Sequence, residues 1–192
     1  MINDFMSLFI IFIIVFTIYV YYESKYYNVT YVTSSIDNKP YLVRNKKDKL
    51  KAANTLAQIN TRLIKLVNYL AKKKKNKNFQ RLKQKFNPNN ISESLENSKY
   101  TSYSVNKGEK IVFCIRSKDS KQSLEKINIL MFVAIHELAH LMTTSIGHTP
   151  EFWNNFRTLL KYAIKLGVYK KENFKDNPKN YCGTKITDSP LD

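Results

Sequence analysis

Residues 124–150 read LEKINILMFVAIHELAHLMTTSIGHTP, and this stretch decides the fold. Apolar side chains fill most of it on every side, so a helix formed here should be buried. We predict this helix from Leu124 to about Ser145. Gly147 suits the left-handed residue that terminates a helix. Thr149 and Pro150 fit the N-cap and the first position of a second helix.

Three polar groups interrupt the apolar helix, namely His136, Glu137 and His140. Burying them without partners would cost several kcal/mol, so each needs a compensating interaction. Histidines four residues apart project from the same helical face, as two ligands of a single ion must. A glutamate beside the first histidine can reach a metal-bound water without binding the metal. The pattern therefore predicts a metal site with Glu137 as general base.

A third ligand is expected beyond the end of this helix. His148 follows Gly147 directly, in the bend between two helices, so its side chain can fold back toward His136 and His140. Three protein ligands leave one position of a tetrahedral Zn²⁺ for water, which is typical of a catalytic site. A histidine on an apolar face is more often a hydrogen-bonded core residue. The buried helix, the glycine and the third histidine together favour zinc.

Length and composition limit the remaining choices. A chain of 192 residues suits one domain with an appendage. Its 32 Lys and Arg against 15 acidic residues give a formal charge of +17, which favours acidic partners without choosing among them. Solvated Lys-rich helix faces explain the excess equally well. Two cysteines far apart, Cys114 and Cys182, form no disulfide framework, so we expect a reducing compartment.

The N-terminus carries an apolar segment, FMSLFIIFIIVFTIYVYY, from Phe5 to Tyr22. Its length suits a helix crossing a hydrocarbon core of ~30 Å. A signal peptide would show a basic start and a small-residue cleavage site, and the sequence has neither, so we predict an uncleaved anchor over residues 1–27. Tyrosines crowd its C-terminal end like an interfacial aromatic belt; they are Tyr19, Tyr21, Tyr22, Tyr26 and Tyr27.

The charges that follow the anchor predict its orientation. Lys25 and Lys39 precede a basic run at 44–51, and the basic side of an anchor normally stays in the cytosol. We therefore expect a single-pass membrane protein with a cytosolic domain. The sequons at Asn28 and Asn90 would then stay unmodified.

Residues 28–192 are predicted to form one α+β domain. A Gly-containing turn between two β-favouring runs, 100–105 and 111–116, predicts a hairpin. The other expected strands and helices follow from alternating or helical periodicity; they are Val29–Ser35, Tyr41–Val43, Lys47–Lys72, Phe79–Phe86 and Glu151–Leu166. The basic segment from Lys72 to Lys85 is either solvated or a weak contact for anionic lipid or nucleic acid.

The run HELAH at 136–140, followed by GHTPEFW at 147–153, resembles the WLM and SprT-like zinc peptidase group. The likeness covers about residues 100–191. The stretch YTSYSVNKGEKIVFCIRSK at 100–118 also resembles short uncharacterised WLM-like proteins of large DNA viruses. A viral protein of this kind would lie in the host cytoplasm or the virion membrane. Characterised relatives of WLM and SprT type cleave proteins crosslinked to DNA, whereas this chain has an anchor and no recognisable second nucleic-acid module.

The resemblance implies a zincin-like domain, with helices packed on a small sheet and the active-site helix bearing His-Glu-x-x-His. His136, His140 and His148 would be zinc ligands, and Glu137 would be the general base. A strand ahead of the active-site helix, here Lys110 to Arg116, would form the substrate-facing edge of the sheet.

Together these features predict a zinc metalloendopeptidase acting on protein substrates. Zinc activates a water, and Glu137 takes its proton and returns it to the leaving amine. The alternatives are an inactive zinc-fold scaffold, a basic binding module, and a structural membrane protein with an accidental motif. An intact Glu137 argues against the scaffold.

The sequence also offers candidates for three further roles near the site. Zincins commonly use a tyrosine to stabilise the oxyanion, and Tyr162, Tyr169 and Tyr181 are the candidates. Cys182 could occupy the open zinc position and hold the enzyme latent. Trp153 is expected to be a packing residue more than a substrate contact.

Overall fold

The computed structural model describes residues 2–192, with side chains described for 5–23 and 28–192. A long helix, α1 (Ile2–Tyr27), comes first. Within it Phe5–Glu23 is long and apolar enough to cross a membrane, and its side chains are not buried against the rest of the chain. An N-terminal signal sequence can be just as long and as apolar. Lys25 and two tyrosines of the expected belt, Tyr26 and Tyr27, lie outside the described side chains.

The remainder of the chain forms a mixed α+β fold around a five-stranded sheet. The strands are β1 (Val29–Thr33), β2 (Pro40–Arg44), β3 (Ile91–Glu93), β4 (Tyr103–Val105) and β5 (Lys110–Phe113). Their order across the sheet is β1-β2-β3-β5-β4. The β1–β2 and β4–β5 pairs are antiparallel, and β3 runs parallel to both of its neighbours.

The sheet confirms the predicted hairpin and changes which of its strands is exposed. Tyr103 pairs with Val112, and the two strands flank the Gly-containing turn as predicted. Because β5 also pairs with β3, it is an interior strand. The expectation that Lys110 to Arg116 forms the edge of the sheet is therefore wrong, and β4 is the edge. Strand β3 was not predicted, because three residues including Ser92 and Glu93 give no period-2 signal.

Four further helices pack on or beside the sheet. They are α2 (Lys49–Ala71), α3 (Lys77–Lys85), α4 (Ile127–Met142) and α5 (Pro150–Lys165). Helix α2 contacts β1, β2 and β3, whereas α4 contacts β4 and the helices α2, α3 and α5. The predicted burial of α4 is confirmed, since most of its apolar side chains have little or no exposed surface.

Helix α4 is shorter at both ends than the sequence predicts. Its start is displaced to Ile127 because Leu124 pairs with Arg116 in an isolated β-bridge. Its end is at Met142, where Thr143 turns extended and its hydroxyl donates to the Ala139 carbonyl. Gly147 does have the expected positive φ, +83°, but it lies in the connecting loop and does not terminate the helix.

The C-terminal segment forms a small hairpin that is tied to the sheet. Its strands are β6 (Lys179–Tyr181) and β7 (Thr184–Ile186). Cys182 in the turn is joined by a disulfide to Cys114, which follows β5, with the two Cα atoms 6.1 Å apart. The expectation that these cysteines do not pair is wrong, because the fold brings together residues 68 positions apart. Disulfides persist in oxidising compartments, so the argument for a reducing one is lost.

Candidate metal centre

Three histidine side chains converge at the end of α4. His136 and His140 lie one turn apart on the helix, with their Nε2 atoms 3.2 Å from each other. His148, in the loop between α4 and α5, places its Nε2 atom 3.1 Å from that of His136. The ligand atoms of all three residues lie within 4.8 Å of one another. The structure thus brings together the three histidines that the sequence singled out.

The spacing of these nitrogens fits a tetrahedral ion. Nitrogens bound at about 2.0–2.1 Å to a tetrahedral Zn²⁺ would lie about 3.3–3.4 Å apart. The pKa of His136 is lowered to about 3, mainly by burial and to a smaller extent by the two neighbouring imidazoles. The pKa of His140 is lowered to about 4, mainly by burial and to a smaller extent by His148 and Lys107. Neutral imidazoles are the form that binds a metal.

An aromatic floor orients the three imidazoles. The Phe152 ring centroid lies 4.9, 4.4 and 4.7 Å from those of His136, His140 and His148. Phe152 is fully buried and follows the N-cap Thr149, whose side chain accepts a hydrogen bond from the Phe152 amide. Trp153 packs on His148 at 5.7 Å and is 42% exposed. The Thr149–Pro150 start of α5 is therefore confirmed, and it brings apolar rings to the ligands.

Glu137 is buried beside the first histidine, with 4% of its surface exposed. Burial raises the pKa of its carboxyl group to about 7, against a hydrogen bond from Ser104 that lowers it. Ser104 belongs to the edge strand β4. The carboxylate is therefore held between α4 and the edge of the sheet.

The histidines and Glu137 share a cleft of about 510 Å³. Segment 101–104, which leads into the edge strand β4, forms one side, and the loop 145–148 forms another. Phe132 and Val133 of α4 also line the cleft. Tyr181 and Ile186 of the C-terminal hairpin complete it. Three parts of the chain that are distant in sequence, 101–107, 132–148 and 181–186, therefore build one site.

Tyr181 is the candidate tyrosine that the structure places in this cleft. Its hydroxyl lies 2.6 Å from Ser102 Oγ, which also accepts a hydrogen bond from the Cys114 amide. Burial raises its pKa. Tyr162 packs instead on Phe79, with ring centroids 5.8 Å apart. Tyr169 packs beneath the cleft against Phe132, with centroids 6.0 Å apart.

The neighbouring Cys182 does not serve as a latency ligand. Its sulfur is bonded to Cys114, so it has no thiolate to offer a metal. The disulfide instead joins the hairpin that carries Tyr181 to the segment after β5. Sequence spacing gave no sign of this link.

Two charged residues, Lys107 and Glu151, bind the loop that precedes His148, a role that the sequence predicted for neither of them. Lys107 lies in the hairpin turn, and nothing in its local sequence distinguishes it from other surface lysines. Glu151 occupies the first turn of α5, where an acidic residue is expected on helix-dipole grounds alone.

Comparisons with known families, sequences and structures show what this chain is similar to. The WLM domain model matches residues 41–191. Uncharacterized protein R325 of Acanthamoeba polyphaga mimivirus is 36% identical over 167 residues, which cover 84% of each chain. Uncharacterized protein 042R of Invertebrate iridescent virus 3 is 46% identical over 82 residues, covering 42% of this chain and 48% of that protein. A crystal structure of a Wss1 mutant from Saccharomyces cerevisiae covers 66% of this chain and 88% of its own, with a TM-score of 0.50 and 20% identity. That last likeness shows the fold alone.

Reducing the Cys114–Cys182 bond should destabilise the protein by about 4 kcal/mol, because the cross-link closes a long loop in the unfolded chain. Urea unfolding of the full chain in detergent, with and without reductant, measures the change. The double variant Cys114→Ser/Cys182→Ser should match the reduced protein and ignore reductant. Two titratable thiols in the folded, unreduced protein would show that the bond does not form.

Proposed function

The chain belongs to the WLM domain family, and from that membership we propose that it is a zinc-dependent metalloendopeptidase acting on protein substrates. The observation that carries the proposal is the set of three imidazoles facing one another beside a buried carboxylate. A structural core residue would satisfy its imidazole with a backbone or hydroxyl partner. Three ring nitrogens at ligand spacing are instead what a metal ion requires.

His136, His140 and His148 would hold the ion. Zinc bound there supplies a Lewis acid for the scissile carbonyl and lowers the pKa of a water toward neutrality. Phe152 keeps the rings in ligand orientation and excludes water from behind them. Glu137 accepts the proton of the attacking water and returns it to the leaving amine, since its carboxylate lies beside the ligands in the same cleft.

The substrate would lie along β4. This strand pairs with β5 on one side only, so its other edge offers backbone groups to an extended peptide. Segment 101–104 lines the cleft next to Glu137, which brings a peptide bound at that edge to the reacting groups. The proposal accordingly assigns the substrate-binding edge to β4 and not to β5.

Glu137→Gln should keep one zinc per chain and the folded state, yet lose casein hydrolysis or self-cleavage by orders of magnitude, because the amide cannot take a proton. Metal analysis and a proteolysis assay on the full chain in detergent measure both. Glu96→Gln, at an exposed ion pair with Lys46, is the matched control and should be fully active.

Three outcomes would contradict these assignments. Retained hydrolysis in Glu137→Gln would remove this residue as the base. Full zinc affinity in His148→Ala would show that the third ligand is elsewhere. A wild-type protein that binds no zinc would end the proposal as a whole.

Tyr181 is proposed to stabilise the oxyanion. Ser102 Oγ accepts the Cys114 amide and lies next to the Tyr181 hydroxyl; when Ser102 donates its own proton to the Tyr181 oxygen, the phenolic proton is free to point into the cleft. A preorganised donor aimed at the developing charge is a large catalytic contribution. The disulfide one residue away holds the tyrosine in place.

Tyr181→Phe should lower kcat by about 10²–10³ while KM, zinc content and thermal stability stay close to wild type. Steady-state kinetics on a fluorogenic peptide separate kcat from KM. Tyr162→Phe removes a hydroxyl outside the cleft and serves as the control. Equal kcat for the two variants would exclude Tyr181 from the reaction.

Membrane attachment through α1 is also proposed, with the domain on the cytosolic side that the basic flank favours. The Cys114–Cys182 bond favours an oxidising compartment, and it therefore argues for the other side of the membrane. The anchor emerges beside the start of α2, since the Asn45 amide donates to the Asn28 carbonyl. The exposed lysines Lys72–Lys75 follow the other end of α2, about 34 Å away. They reach a bilayer if α2 lies along it.

Trypsin should therefore cleave the Lys72–Lys75 segment of the reconstituted full chain more slowly in anionic vesicles than in neutral ones at low salt. The attraction of each lysine to anionic lipid, about 1 kcal/mol, is screened as ionic strength rises. High salt should remove the difference. Mass spectrometry of the fragments locates the cleavage, and Lys165 and Lys179 provide internal control sites.

Equal cleavage in both vesicle types at low salt would contradict the lipid contact and leave nucleic acid as the partner to test. Asn90 should carry no sugar when the chain is expressed in eukaryotic cells. A sugar on Asn90 would place the domain on the oxidising side and remove the cytosolic assignment, without touching the zinc chemistry.

A further inference from the structure

His148 lies in a loop that burial does not hold. The loop covers residues 143–149 between α4 and α5, and Ile146 within it is 89% exposed. Ordering an exposed loop costs about 1–2 kcal/mol per residue, so a loop that is ordered only by the metal would weaken metal binding. His148 nevertheless stands at ligand distance from His136. Other contacts must therefore order the loop.

One side of the loop is held by a lysine ammonium. Lys107 Nζ donates to the carbonyl oxygens of Thr143, Thr144 and Ser145 at 3.2, 2.6 and 3.1 Å. These carbonyls follow the C-terminus of α4, where unpaired carbonyls and the helix dipole favour a cation. An ammonium has three N–H groups, and all three are used here, which leaves none for a substrate.

The hairpin turn that carries Lys107 is itself fixed. Asn106 and Lys107 have φ values of +45° and +51°, a left-handed conformation that costs a residue with a side chain some free energy. Gly108, at φ +118°, packs so closely on α3 that an added Cβ would collide with the Lys85 carbonyl. The turn therefore presents the ammonium from a rigid support.

The other side of the loop is held by a carboxylate. Glu151 accepts the amide N–H groups of Thr144 and Ser145 at 3.0 and 3.1 Å. It also accepts their hydroxyl groups, from Thr144 at 2.9 Å and from Ser145 at 2.8 Å. These hydrogen bonds lower the pKa of Glu151 to about 2. The carboxylate binds the donors of Thr144 and Ser145, which are two of the three residues whose carbonyls Lys107 binds.

We propose that Lys107 and Glu151 form a two-sided clamp that positions His148 and so sets the metal affinity of the site. Both residues act through His148 and are positioning residues, since neither donates a ligand atom. The clamp works without the ion, so the third ligand is in place before metal arrives and little ordering remains to be done on binding. The inference rests on the metal site assigned above.

Lys107→Met and Glu151→Gln in the full chain should each weaken zinc binding by about 10- to 100-fold, as loss of a residue that orients a ligand typically does. Competition with a chromophoric chelator measures the dissociation constant. Lys110→Met, on the same hairpin, and Glu96→Gln, at an exposed ion pair with Lys46, should bind zinc as wild type does. Two variants acting from opposite sides keep the test valid if one fails to fold.

Two further measurements distinguish the positioning of His148 from a general structural role of Lys107 and Glu151. In the metal-free protein, exchange of the Thr144 and Ser145 amides should be faster in both clamp variants, while α4 keeps wild-type protection. In a His148→Ala background, Lys107→Met should leave the remaining weak zinc binding unchanged, because it acts through the missing ligand.

Three outcomes would overturn the clamp. Wild-type affinity in both clamp variants would do so and leave the metallopeptidase proposal standing. An equal further loss of affinity in the His148→Ala background would show a general structural effect. A wild-type chain that binds no zinc would remove the clamp and the proposed function together.

Discussion

The structure depends on one constraint, that α4 must be buried although it carries two imidazoles and a carboxylate. Its apolar surface is covered by α2, α3, α5 and the edge of the sheet. Polar groups in such a setting are tolerated only with partners. The fold meets this requirement by leaving a cleft along β4, into which His136, Glu137 and His140 all open. The packing of α4 in the core consequently also forms the site.

The groups around that cleft come from separate parts of the chain and are fixed by different forces. Phe152 holds the imidazoles by apolar contact, and Ser104 holds the carboxylate by a hydrogen bond. A disulfide secures the hairpin that carries Tyr181. Opposite charges fix the loop before His148, because an exposed loop has too little apolar area to be ordered by burial. Each force is used where the local environment makes it effective.

Much of the site could be predicted from local sequence, because helical spacing is a local property. His136 and His140 share a face as soon as a helix forms, and Thr149 with Pro150 begins the next helix wherever it packs. The edge of the sheet could not be predicted in this way. Both hairpin strands look alike in sequence, and only the insertion of β3 beside β5 made the latter interior. Gly147 misled for a related reason, since Thr143 had already ended the helix.

The sequence by itself determined the apolar helix, the spacing of His136 and His140 along it, the apolar N-terminal segment and the α+β class, all of which follow from periodicity and residue type. Tertiary structure alone decided that Cys114 meets Cys182, that Tyr181 and not Tyr162 or Tyr169 faces the cleft, and that Lys107 and Glu151 grip one loop. The physical reason is the distance along the chain over which each effect acts. Periodicity acts within a few residues, whereas these contacts join positions tens of residues apart, and only the packing of helices on the sheet sets the distances between them.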